Sequence, residues 1–203
     1  GMIASNGALT LAGDVTDLRG GTTSAQSIVI GTGDLTTAGG LLIASGEGPL
    51  RLQILGVWDN DGGTAATNGA LDLTAGTVSN RDGLIQAAGG DPTSLSIVGT
   101  FDNRGGTLAA AGDTTVVADE VRNAGGTLQV AADSTLQLSI DGLLDNSSEG
   151  LITAGGDLSL TADTLDNTSG RIEHAGEGRL TVDATTLEGV GGTIASNGAL
   201  ALS

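Results

Sequence analysis

Gly105-Gly106-Thr107-Leu108-Ala109-Ala110-Ala111-Gly112-Asp113 is followed by Thr115-Val116-Val117 and then by Val121-Arg122-Asn123. Within these 19 positions a Gly-Gly turn opens a short apolar segment, a Gly-Asp turn separates it from a second, and a third ends on Asn. The same order recurs along the chain. Aligned on the Gly-x-(Ile/Leu) element, the anchors are Ile3, Thr23, Leu42, Ala65, Ile85, Leu108, Leu128, Ile152, Ile172 and Ile194, spaced by 20, 19, 23, 20, 23, 20, 24, 20 and 22 residues. A period in the low twenties that absorbs small insertions is the signature of a solenoid.

A second apolar pair follows nine of the ten anchors, as Leu9/Leu11, Ile28/Ile30, Leu50/Leu52, Leu71/Leu73, Leu95/Ile97, Leu136/Leu138, Leu158/Leu160, Leu180/Val182 and Leu200/Leu202. Spacing at i and i+2 is strand periodicity, and no helical i, i+3, i+4 pattern replaces it. A third apolar position precedes the next turn, at Leu18, Trp58, Val78, Phe101, Val121, Leu144, Leu165 and Leu187. Each unit therefore predicts three short strands separated by tight corners. Asn6-Gly7, Asn68-Gly69 and Asn197-Gly198 mark the first corner, because these residues accept positive φ. Asn60, Asn80, Asn103, Asn123, Asn146 and Asn167 fall in register at another corner, the last before the next anchor. In the first two units that Asn is read as replaced by Gly20 and by Ala38 or Gly39.

WD-type propeller blades need about 40 residues each, and a sandwich would not repeat one turn in register. Leucine-rich repeats place their Leu-x-Leu beside the Asn, which this chain does not. The expected fold is an all-β parallel β-helix of about ten coils, with three short strands per coil forming three sheets, and residues 1–203 as a single repeat segment. Coils stacked about 4.8 Å apart give a rod on the order of 45 Å long. The inner columns are expected to include Leu11, Leu52, Leu73, Ile97, Leu138 and Leu160, and the Asn residues to stack as an amide ladder. Gly1–Leu9 and Gly192–Leu200 are nearly identical, and neither has the character of a capping repeat. The expectation is a segment of a longer array.

The 203 residues hold 36 Gly, one Trp, one Phe and no Tyr or Cys. So little bulk fits a core spread thinly along the rod. Without Cys there are no disulfides, thiolate metal sites or cysteine nucleophiles. Seven Arg and no Lys oppose 24 acidic residues, for a net charge of -17. Such a surface repels nucleic acid and anionic lipid, and favours a soluble monomer. No apolar run reaches the roughly 18 residues of a membrane span, so membrane insertion is not expected, and a secretion signal is expected outside this stretch.

Catalytic candidates are few. His174 is the only His, at a position that other units fill with Ala110, Val130, Ala154 or Ser196, and reads as a tolerated substitution rather than a base. Asp59/Asp61, Asp102, Asp145 and Asp166 recur beside the Asn residues, which marks a turn rather than a unique carboxylate pair of a polysaccharide-cleaving enzyme. Glu173, Glu177 and Glu188 cluster without a recognisable partner. Ala88-Gly89-Gly90-Asp91 and Ala154-Gly155-Gly156-Asp157 only echo a calcium-binding nonapeptide. Neither metal nor cofactor is expected. Asn146-Ser147-Ser148 and Asn167-Thr168-Ser169 match glycosylation sequons but lie on the ladder turn.

Leu144-Asp145-Asn146-Ser147-Ser148-Glu149-Gly150-Leu151-Ile152-Thr153-Ala154-Gly155-Gly156-Asp157-Leu158-Ser159-Leu160, with Leu165-Asp166-Asn167-Thr168-Ser169-Gly170-Arg171-Ile172, strongly resembles the filamentous haemagglutinin repeat. The resemblance is good over 58–203 and fades in 1–57, chiefly within 12–57. It implies a right-handed β-helical shaft within a very large secreted or surface exoprotein of Gram-negative bacteria. By the same resemblance such a protein is exported through an outer-membrane two-partner secretion transporter. It displays either an adhesive region or the toxin of contact-dependent growth inhibition, for which a target-cell receptor is the expected partner.

Overall fold

The computed structural model describes all residues, 1–203, as 25 β-strands and no helix. Every strand pairs in parallel with its counterpart one coil away. The chain is a β-solenoid of ten coils, as the repeat predicts.

The first ladder is a ten-stranded sheet running from Met2–Ala4 through Thr107–Ala110 to Thr193–Ser196. Its pairings place all ten anchors, Ile3 to Ile194, in one column. Alternation does the sorting: in Thr107–Ala110, Leu108 and Ala110 are buried while Thr107 and Ala109 are partly exposed.

The second ladder carries the Leu-x-Leu pairs and the third the apolar position before the turn. In the central coils these are separate strands, such as Leu71–Ala75 and Thr77–Ser79. Near both ends they fuse into Ala8–Asp17, Ser27–Thr36, Leu158–Asp166 and Arg179–Glu188. The two ladders thus form one fifteen-stranded sheet, so the chain builds two sheets rather than the expected three. The corner between them is shallow enough to keep coil-to-coil bonding, as from Gly56 N to Gly33 O at 2.8 Å and Gly99 N to Gly76 O at 2.8 Å.

Register corrects three details. Thr93 pairs with Leu71, and Leu95 with Leu73, so Ile97 stacks on Ala75 rather than in the Leu73 column. The slip is by two residues, which leaves each side chain on its expected face. Leu18 does not belong to the third apolar column, where Thr16 and Leu35 precede Trp58. Instead Leu18 and Thr37, not Gly20 and Ala38 or Gly39, occupy the place of the corner Asn. Leu18 N donates to Thr36 O and Thr37 N to Asp59 O, just as Asn60 N donates to Ser79 O.

Forty apolar residues form one continuous core, with Trp58 and Phe101 fully buried in the third ladder. Burying a Leu or Phe side chain contributes about 1.5–3 kcal/mol, and a coil obtains that only from its neighbours. The end coils lack one neighbour and expose Met2 (78%), Leu200 (47%) and Leu202 (53%).

Candidate functional site: the asparagine corner

The turn that closes six of the coils holds a continuous polar network. Asn60, Asn80, Asn103, Asn123, Asn146 and Asn167 are all buried at one corner. The Nδ2 of each donates to the Oδ1 of the next, at 2.7 Å for the first three links and 2.8 Å for Asn123 to Asn146 and Asn146 to Asn167. The same Nδ2 also donates within its own turn and into the next coil, as Asn103 does to Gly106 O and Thr127 O, both at 3.2 Å. Amides stacked at the coil spacing fit this pattern because each offers a donor upward and an acceptor downward.

The column extends one step beyond the asparagines. Thr37 Oγ1 donates to Asn60 Oδ1 at 2.7 Å and accepts from the Trp58 indole Nε1 at 3.0 Å. The sequence pattern puts neither Thr37 nor Trp58 at the corner, whereas the structure joins both to the column. A signal was present: Thr37 precedes its anchor Leu42 by five positions, as Asn60 precedes Ala65. Above Asn167 the equivalent position is Gly189, and the Asn167 amide ends on Thr193 O at 3.0 Å.

Backbone demands shape the rest of the turn. Gly106 N returns to Asn103 O at 3.0 Å, and Gly126 N to Asn123 O at 2.9 Å, each closing a tight turn. A Cβ on Gly106 or Gly126 would overlap the carbonyl of the Asn one coil below, so the final Gly of Asn-x-x-Gly is a packing requirement. The residue before it has positive φ: 65° at Gly105 and 66° at Gly125, but also 52° at Asp82 and 58° at Ser169.

The carboxylates beside the ladder serve the same turns. Asp59 Oδ1 accepts from Asp61 N (3.1 Å), Asp145 Oδ1 from Ser147 N (3.0 Å) and Asp166 Oδ1 from Thr168 N (2.9 Å). Asp102 is held by Arg81 Nε at 2.7 Å from one coil and by Arg104 within its own turn, through Nη2 at 2.7 Å. Burial pushes its carboxyl pKa up, but the Arg104 and Arg81 guanidiniums and the Arg104 amide outweigh burial and bring it to about 2. Arg122 likewise holds the Glu120 carboxyl below the usual range. These carboxylates accept hydrogen bonds along a column, as Asp61 Oδ1 does from Ser79 Oγ at 2.6 Å and from Arg81 N at 3.0 Å.

The remaining candidates are dispersed. His174 is buried in the first ladder above Ala154, its Nδ1 lies 2.9 Å from Ser196 Oγ, and its Nε2 meets no polar partner in the protein. Glu173 pairs with Arg171. No three His, Asp or Glu side chains converge as a ligand set, and Ala88–Asp91 and Ala154–Asp157 contribute none. Both sequon asparagines, Asn146 and Asn167, spend their amides inside the ladder.

The haemagglutinin repeat model matches residues 1–48, 46–91, 93–148 and 133–203, including the stretch within 1–57 where the corner lacks Asn. No curated protein and no solved structure matches the chain. Repeat and solenoid together point to a structural, adhesin-type protein that is secreted or surface-exposed, and the chain belongs to the haemagglutinin repeat family.

Proposed function

We propose that this chain is a non-enzymatic shaft segment of a large secreted bacterial exoprotein, and that it holds a distal adhesive or toxin-delivery region away from the cell. The observation that carries the reading is uniformity: one parallel register and one corner column run through successive coils, so that each coil serves its neighbours by stacking. Export through an outer-membrane two-partner secretion transporter, by regions outside residues 1–203, and a receptor on the target cell belong to this proposal. The Asn ladder is proposed as its structural element, fixing the corner of each coil.

The test is an in-frame deletion of residues 106–149 in the full-length exoprotein, joining Gly105 to Gly150 and removing two whole coils. Adhesion or killing that survives a rod shortened by about 10 Å supports a shaft. Abolished target-cell binding in Arg122→Glu or Arg171→Glu, with secretion normal, would instead place a receptor site on the flank.

A further inference from the structure

His174 is the only histidine of the chain, and it is 2% exposed. In its column of the first ladder Ala154 lies directly below and Ser196 directly above. Earlier coils put Ala87, Ala110 and Val130 at this place, so the ring occupies a site built for small or aliphatic groups. Ser196 Oγ is its one polar neighbour, 2.9 Å from Nδ1. That hydroxyl accepts from Gly198 N at 3.1 Å and donates its single proton to Ala199 O at 3.3 Å. The hydrogen-bond count therefore makes Nδ1 the donor toward Ser196, and the neutral ring the Nδ1–H tautomer. Its Nε2 keeps a bare lone pair, which a protein interior tolerates more readily than an unbonded N–H.

No acceptor waits for a second N–H. Nε2 is buried without a partner and faces the corner at Gly176, where a Cβ would lie 3.6 Å from it. The strands Leu151–Ala154, Thr193–Ser196 and Ala199–Leu202 around the ring carry no charged residue. On its own strand Arg171 and Glu173 turn outward and pair with each other. In the facing sheet Arg179, Asp183, Glu188 and Asp163 are exposed, and Asp166 caps its own turn. At the corners Glu177 and Asp157 are exposed, and Asp157 Oδ1 accepts from Arg179 N at 2.8 Å.

We propose that His174 makes the boundary between its coil and the next an acid-sensitive joint. An imidazole in water takes up its second proton near pH 6.5. The cation needs two acceptors, and the closed joint offers only Ser196 Oγ. The protonated ring is accommodated once it turns out to water, which parts Ser196 and the corner Asn197-Gly198 from the coil beneath. That opening breaks the bonds from Asn197 N to His174 O and from Ala199 N to Gly178 O, both 3.0 Å. Because the open joint binds one proton more than the closed one, opening grows by up to about tenfold per pH unit below that range. Each coil holds only its neighbours, so the change stays at this boundary. A rod that is stiff at neutral pH thus loosens at one coil in mildly acid surroundings, whether or not it serves as a shaft.

The test is NMR on tag-free residues 1–203 between about pH 8 and 5, where the single His gives one set of ring signals. At the upper end, long-range nitrogen–proton spectra are expected to show the Nδ1–H tautomer. On acidification a second, solvent-exposed imidazolium signal should grow in slow exchange with the first. Over the same range the protection factors of the Asn197 and Ala199 amides should fall at least tenfold, while that of Thr127, bonded to Gly106 O in mid-rod, stays constant. His174→Ala, which repeats the residue of the coil below, should keep all three protected throughout. A single ring signal that titrates in place with unchanged amide protection overturns the proposal, as does a His174→Ala rod that opens over the same range. So does an Nε2–H ring at the upper end, since the closed site would then already hold an unbonded N–H.

Discussion

Thr37 Oγ1 donates to Asn60 Oδ1 at 2.7 Å, so a threonine heads the asparagine column. Because the hydroxyl also accepts from Trp58 Nε1, Thr37→Val removes one shape-conserved group and strands two buried partners. The expected cost is about 1–3 kcal/mol. Urea titration followed by Trp58 fluorescence measures it, and a midpoint equal to wild type would mean that the indole and the Asn60 amide find other partners.

Asn123→Ala tests the middle of the ladder. It deprives Asn103 Nδ2 of its side-chain acceptor, Asn146 Oδ1 of its donor, and Gly126 O and Leu151 O of the amide they share. Asn103 Nδ2 keeps two backbone acceptors, so the expected loss is about 1–3 kcal/mol rather than the sum of four bonds. An unchanged denaturation midpoint would reduce the asparagines to surface turn formers.

The anchors and the asparagines were legible because a solenoid repeats an inward residue at every coil, and Leu108 or Asn103 has counterparts of like chemistry above and below. Thr37 and Leu18 were not, since the corner there changes polarity while keeping its backbone bonds. The grip on Asp102 was hidden for another reason: Arg81 lies 21 residues away and becomes a neighbour only through the coil register.

Asp102 makes stability depend on pH. Its folded pKa of about 2 lies below the roughly 3.9 of an unfolded Asp, so its contribution is complete above about pH 4 and is lost as pH falls toward 2. With both arginines nearly half exposed, about 1 kcal/mol is expected rather than the full value of the shift. Asp102→Asn should be less stable than wild type at pH 6, with the difference shrinking by pH 2.5 in thermal melts. A gap that stays constant with pH would show that the arginine contacts add nothing.

Ser169 and Gly126 make a contrasting pair in equivalent turns two coils apart. Ser169 holds φ at 58°, a conformation costing a non-glycine residue on the order of 1 kcal/mol, and Gly105 fills the equivalent place elsewhere. Ser169→Gly is expected to be neutral to about 1 kcal/mol stabilising once glycine's extra chain entropy is included. Gly126→Ala should destabilise by several times that amount, because the new methyl meets the Asn103 carbonyl. Equal melting temperatures for the two variants would contradict the assigned roles.

Thr93 and Thr114 stand side by side in the second ladder, both buried, in a column that Leu71 and Leu136 continue on either side. Their hydroxyls differ. Thr114 Oγ1 donates to Gly112 O at 3.0 Å, whereas Thr93 Oγ1 has no partner. A buried hydroxyl without a hydrogen bond costs about 1–3 kcal/mol, and valine has nearly the same shape and the same preference for strands. Thr93→Val should therefore stabilise the rod by about 1 kcal/mol or more. Thr114→Val should destabilise it by a similar amount, since it leaves a carbonyl unpaired. Comparing the two in urea cancels the common effect of replacing a hydroxyl by a methyl. If both shifts have the same sign, hydroxyl satisfaction is not what distinguishes these positions, and the aliphatic column alone sets their stability.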